Sequence, residues 1–161
     1  MFTGIIENLA QVTQLKHEAG NIHVTLKCPF TNELKVDQSV AHNGICLTVV
    51  SIIEDSYTVT AIQETIQKTS LGNWAVGTKV NVERCMQLNG RLDGHIVQGH
   101  VDTVATLLNI EEENGSWKFT FEYDASHVTV EKGSITINGV SLTVVDSTLN
   151  SFSVCIIPFT Y

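Results

Sequence analysis

The sequence predicts an all-β protein of two tandem Greek-key β-barrels, the second cut short. Three observations predict it. The chain repeats itself at one fixed offset. Its apolar and β-branched residues fall in short runs of strand length. Asn-Gly pairs, which favour the tight turns of hairpins, separate several of those runs. Many short strands joined by such turns suit small closed barrels. No βαβ alternation, glycine-rich phosphate loop or solenoid period competes with that reading.

The repeat comes first, because a period decides the architecture. At an offset of 95 residues the segment 39–50, SVAHNGICLTVV, lies over 134–145, SITINGVSLTVV, with seven of twelve positions identical. The same offset lays Gly4-Ile-Ile-Glu7 over Gly99-His-Val-Asp102, and Tyr57-Thr-Val59 over Phe152-Ser-Val154. One ungapped offset matching separated segments points to duplication. The first repeat continues through a strand-like segment at 78–86, whereas the second ends at Tyr161, the partner of Ile66. The second barrel is therefore expected to lack its closing strand and to carry an open edge.

Each element follows from local pattern. Strands are expected at 22–26, 45–53, 57–61, 80–84, 117–123 and 140–145, where β-branched or alternating residues cluster. Asn-Gly turns are expected at 43–44, 89–90, 114–115 and 138–139. The acidic run Glu111, Glu112, Glu113 beside one of them reads as a solvated hairpin tip. Short helices fit at 31–35 and 124–128, and a third at 64–71 with Gly72 as its C-cap. The segment 88–94 is the natural linker, dividing the chain into domains 1–90 and 91–161.

Composition sets limits on function. With 161 residues, 43% of them hydrophobic and 16% charged, the chain reads as globular. Its formal charge of −8 and the absence of a basic run disfavour nucleic acid and anionic membrane surfaces. No apolar run reaches the ~20 residues of a membrane helix, and the N-terminus lacks a basic leader. Cys28, Cys46, Cys85 and Cys155 form no CxxC pair and read as free thiols of a reducing cytoplasm.

The strand after each repeated Asn-Gly turn carries the most chemistry. Alternation puts Ile45, Leu47 and Val49 on one face, and Cys46, Thr48 and Val50 on the other. Val140, Leu142 and Val144 match the first set; Ser141, Thr143 and Val145 match the second. The apolar face belongs to a core. The polar face reads either as a solvated sheet surface or as a duplicated ligand site. The copies differ where it matters: Cys46 against Ser141, Ile5 against His100, His42 against Ile137, Ala41 against Thr136. Two sites of one design with unlike reactive groups suit binding one ligand twice and treating it differently. His100 suits proton transfer near neutrality; His95, nearer the linker, reads as structural. Metal is not expected, since His42 and Cys46 have no second pair to complete a zinc site. A nucleophilic Cys–His pair of Cys46 with His100 or His42 stays open, because such partners meet in space rather than in sequence.

Taken together, MFTGIIE, AHNGICLTV, VNVER, GRLDGHIVQGHVD, KGSITINGVSLTV and the IIP-x-T ending resemble the riboflavin synthase α-chain family over essentially the whole chain. The resemblance implies two lumazine-binding domains, each a six-stranded Greek-key barrel. It implies a dismutation of two molecules of 6,7-dimethyl-8-ribityllumazine into riboflavin and a ribitylamino-pyrimidinedione, with no metal or redox cofactor. It implies a homotrimer, held by a C-terminal helix, in which the N-terminal barrel of one subunit faces the C-terminal barrel of another. Lumazine synthase is a further partner it suggests.

Carried over by motif, the N-barrel site comprises Cys46, Leu47 and Thr48 with Thr60, Ala61, Ile62, Gln63, Glu64 and Thr65, bordered by Gly99, His100 and Val101. The C-barrel site comprises Ser141, Leu142 and Thr143 with Lys132, Ile156, Ile157, Pro158, Phe159, Thr160 and Tyr161, bordered by Gly4, Ile5 and Ile6. The expected catalytic residues are His100 for proton transfer, and Ser141 and Cys46 to orient the ring or activate water. Phe159 departs from the family, where polar residues are usual. Lumazine proteins of luminous bacteria share the fold and bind lumazine or flavin without turnover. That antenna role is the competing reading, against which Lys132, Ser141, Thr143 and His100 weigh.

Overall fold

Eleven strands carry the chain, and their order repeats. The structure is a computed structural model that describes residues 1–161. β1 (Asn8–Glu18), β2 (Asn21–Lys27), β3 (Ser39–His42), β4 (Ile45–Ile53), β5 (Ser56–Ala61) and β6 (Lys79–Arg84) close a barrel in the order β1-β2-β5-β4-β3-β6. β7 (Thr106–Glu112), β8 (Trp117–Glu122), β9 (Ser134–Ile137), β10 (Val140–Val145) and β11 (Ser151–Ile156) form a second sheet ordered β7-β8-β11-β10-β9. That is the first order without its sixth strand. Every pairing is antiparallel, and β2 lies beside β5 rather than β3, which makes the path a Greek key.

The registers repeat too. Val12 faces Leu26, and Leu107 faces Phe121; a bulge follows in both, at Thr13 and at Leu108. Ala41 faces Cys46 across β3 and β4, and Thr136 faces Ser141 across β9 and β10. Asn43 and Asn138 adopt φ of +48° and +47°, as does Asn114 at +44°, so three of the four Asn-Gly pairs close two-residue hairpins. The pair at 89–90 does not. It has no left-handed residue and lies in an exposed turn closed by Gly90 N–H donating to the Gln87 carbonyl, with no strand pair to join.

Burial follows alternation. The first core gathers Val24, Leu26, Val40, Leu47, Val49, Tyr57, Val59, Val80 and Val82, all essentially inaccessible. At ~25 cal/mol per Å² removed from water, this interior dominates the stability of the chain. The second core is small: Tyr123, Val144, Phe152 and Val154, with Phe119, Phe121, Ile135 and Ile137 partly covered. The place that β6 fills between β1 and β3, bringing Val80 and Val82 inward, holds no strand between β7 and β9. A cavity of about 880 Å³ opens there onto Phe121, Tyr123, Ile135 and Phe152.

All three helix expectations need correction. Residues 124–128 form a turn: the Asp124 carboxylate accepts from Ser126 N–H, and the Asp124 carbonyl from His127 N–H. That Asx turn offers the backbone an alternative to helix. The expected helix at 64–71 divides into α1 (Gln63–Lys68) and a 3-10 turn, Ser70–Asn73. Thr69, in extended conformation, separates them and caps the second through its hydroxyl, so Gly72 is no C-cap. The 31–35 segment holds only a 3-10 turn, Thr31–Glu33. No helix is long and apolar enough to cross a membrane.

Candidate functional site

The two halves meet along a local two-fold relation. Phe2 bridges Val97, its own counterpart at the repeat offset. Ser141 N–H donates to the Gly4 carbonyl at 2.7 Å, and Cys46 N–H to the Gly99 carbonyl at 2.9 Å. The loop that opens each repeat thus docks on the β4 or β10 strand of the other repeat, which brings Gly99 to Cys46 and Gly4 to Ser141. Contact is so close that a Cβ at Gly4 would come within 2.7 Å of the Ser141 Cβ, and one at Gly99 within 2.6 Å of the Cys46 Cβ. Both glycines also have positive φ, +76° and +84°.

β4 and β10 present their residues as alternation requires. Leu47 is buried in the core, Cys46 is half-buried, and Thr48 is exposed; Ser141 is half-buried and Thr143 exposed. Leu142 packs against the second core. Thr60 and Ala61 end β5, and Ile62 leads into α1, which carries Gln63, Glu64 and Thr65. Ala61 is buried in the first core, and Val101 packs against the same cluster. The second repeat starts the same turn: Tyr161 N–H donates to the Ile157 carbonyl as Ile66 N–H does to that of Ile62. Tyr161 stacks on Trp117 with ring centres 4.1 Å apart, while Phe159 is 96% exposed.

Not every predicted residue converges. His100 is exposed and makes no side-chain hydrogen bond; with Gly99 and Val101 it faces the 880 Å³ cavity. Lys132 adopts φ +64° and lies 3.5 Å from Glu131, with no bond to Ser141. Ile5 is exposed and Ile6 half-buried. His42 does not pair with Cys46. It is fully buried, with Nδ1 on the Val40 carbonyl and Nε2 2.9 Å from the Tyr57 hydroxyl. Burial pushes its pKa down to about 4, so the ring stays neutral.

The residue that sequence reasoning set aside is His95. Its Nδ1 lies 2.7 Å from Ser141 Oγ and its Nε2 3.0 Å from Thr136 Oγ1. Partial burial lowers its pKa, favouring the neutral ring. The repeat could not reveal it, because the offset places His95 opposite no residue. The Ala41/Thr136 difference was the available signal. Cys46 has no such partner and packs against the apolar cluster of Phe2, Ala41 and Val97.

A buried carboxylate ties the first loop down. Glu83 accepts from Thr3 N–H and Thr3 Oγ1, both at 2.6 Å, and from Gly4 N–H at 3.0 Å. Thr3 in turn accepts His95 N–H through its carbonyl.

Known proteins match this arrangement. The lumazine binding domain family matches residues 3–85 and again 98–161. The riboflavin synthase of Bacillus subtilis (strain 168) is 40% identical over 163 residues, covering 99% of this chain and 76% of that protein. That of Actinobacillus pleuropneumoniae is 39% identical at the same coverage. Among solved structures, LumP complexed with riboflavin superposes with a TM-score of 0.90 at 23% identity, covering 99% of this chain and 89% of that one. LumP complexed with 6,7-dimethyl-8-(1'-D-ribityl) lumazine gives 0.87 at 24%, covering 99% and 88%. At these identities LumP speaks for the fold. By sequence and by its duplicated domain, the chain belongs to the riboflavin synthase family.

Proposed function

We propose that this chain is a riboflavin synthase, converting two molecules of 6,7-dimethyl-8-ribityllumazine into riboflavin and 5-amino-6-(D-ribitylamino)uracil. One lumazine gives up a four-carbon unit and the other receives it. The observation that carries the reading is the unequal duplication: one strand design presents Cys46 in an apolar setting and Ser141 in a polar one. Identity of 40% to a riboflavin synthase over nearly the whole chain supports it.

The domains are 1–90 and 91–161, and each holds one lumazine. The first site uses Cys46, Leu47, Thr48 and the 60–65 segment; the second uses Ser141, Leu142, Thr143, Lys132 and the 156–161 segment. His100, exposed and free of internal partners, moves the C7-methyl proton, and Ser141 and Cys46 orient the ring or activate water. The reaction pairs an N-terminal barrel with a C-terminal barrel of a second subunit, in a trimer.

Mixing the protein with the lumazine and following the absorption spectrum tests the activity. Riboflavin should appear. A bound but unchanged lumazine would instead favour the antenna role, which the likeness to LumP keeps in view. His100→Ala should lower turnover about 10²-fold, the scale of one general acid–base group; unchanged turnover removes His100 from the mechanism.

A further inference from the structure

We propose that His95 is a positioning residue for the second site, holding the Ser141 hydroxyl through Nδ1 while Thr136 fixes the ring through Nε2. The inference rests on the reading of Ser141 as a site residue. Geometry carries it: contacts of 2.7 Å and 3.0 Å place the imidazole across a cross-strand pair, so both ring nitrogens are occupied. A neutral imidazole has one donor and one acceptor nitrogen. A threonine hydroxyl that accepts Nε2–H leaves Nδ1 to accept from Ser141 Oγ–H. The hydroxyl hydrogen then points at the ring, which leaves the lone pairs of the oxygen free of it. A nucleophile or water-orienting group held by a base that a third group orients is a recurrent catalytic arrangement.

The backbone of His95 is fixed as well. Its N–H donates to the Thr3 carbonyl, Thr3 is held by the buried Glu83 carboxylate, and a Cβ on the neighbouring Gly94 would come within 2.0 Å of the Thr3 carbonyl oxygen. The first site has no equivalent. Cys46 faces Ala41 across the strands, so no side chain orients the thiol in this way. His95 with Thr136 therefore distinguishes the two sites and assigns the oriented oxygen to the second.

Two amide replacements separate orientation from bulk. His95→Asn keeps a polar group near the Nδ1 position, and His95→Gln keeps one near Nε2. Turnover in His95→Gln should fall about 10²-fold, the cost of a misplaced reacting group, with KM for the lumazine nearly unchanged and much of the loss restored in His95→Asn. In a Ser141→Ala background, His95→Gln should cost nothing further. Equal losses in both amide variants, or full additivity with Ser141→Ala, would overturn the proposal. Nitrogen NMR of the His95 ring provides a readout independent of activity. The neutral form protonated at Nε2 is expected, with an Nδ1 signal that moves in Ser141→Ala. A ring protonated at Nδ1, or unmoved by that substitution, would overturn it even if riboflavin forms. Absence of riboflavin from the unaltered protein would count against the activity alone.

Discussion

His42 and Tyr57 form a polar pair inside an apolar barrel, and the second repeat shows what replaces it. The equivalent positions are Ile137 and Phe152. Removing one partner leaves the facing polar atom of the other, the Tyr57 hydroxyl or His42 Nε2, unpaired in the core, at about 1–3 kcal/mol. His42→Ile or Tyr57→Phe alone should therefore lower the unfolding free energy by about that amount. The double replacement should cost less than the sum, and denaturant unfolding of the three variants measures the difference. The pair also sets a pH dependence. The folded-state pKa of His42 is about 4, below an unfolded value near 6.5, so the native state disfavours the charged ring. Its stabilising contribution is complete above pH ~6.5 and is lost as pH falls toward about 4, by roughly 3 kcal/mol. The slope of stability between those pH values should shrink in the Ile/Phe double variant.

At the scale of elements, the loop before β1 is held by the burial of Phe2 and by one carboxylate. Glu83 receives three hydrogen bonds from Thr3 and Gly4, and through them the loop reaches His95 and Ser141. Glu83→Gln places an amide N–H against donors and should release the loop at a cost of about 1–3 kcal/mol. Hydrogen exchange of the Val97 and Ser141 amides, which donate to Phe2 and Gly4, should quicken while the core of the first barrel stays protected. Protection unchanged at both amides would show that the carboxylate does not hold the loop. Gly99→Ala is the harsher change: the Cβ would meet Cys46 at 2.6 Å with φ at +84°, and the melting temperature should fall as about 1–3 kcal/mol of strain is added.

Legibility also varies by element. β4 and β10 were readable to the residue, because in β4 Ile45, Leu47 and Val49 alternate cleanly with Cys46 and Thr48 before the bulge at Val50. β1 and β7 were not, since a bulge at Thr13 and at Leu108 swaps faces mid-strand and spoils the alternation. The 124–128 helix failed because Asp124 caps a turn. Within the candidate site, the repeat pointed to Cys46 and Ser141 but was silent on His95, which has no counterpart, and on Glu83, whose partners, the Thr3 N–H and hydroxyl and the Gly4 N–H, lie 80 and 79 residues away.

At the scale of the whole molecule, duplication followed by divergence is the design. The registers of the first two hairpins, the bulge in the first strand of each half and the Asn-Gly turns at 43–44 and 138–139 coincide, while the bulge at Val50 in β4 has no counterpart in β10 and the residues facing each other at Cys46 and Ser141 differ. A protein that must hold two copies of one molecule and make one the donor and the other the acceptor needs that combination. The most direct measurement is product stoichiometry from 6,7-dimethyl-8-ribityllumazine, separated by chromatography. The account predicts two lumazines consumed for each riboflavin and each pyrimidine formed, over many turnovers. Lumazine recovered intact after stoichiometric binding, with neither product formed, would contradict it.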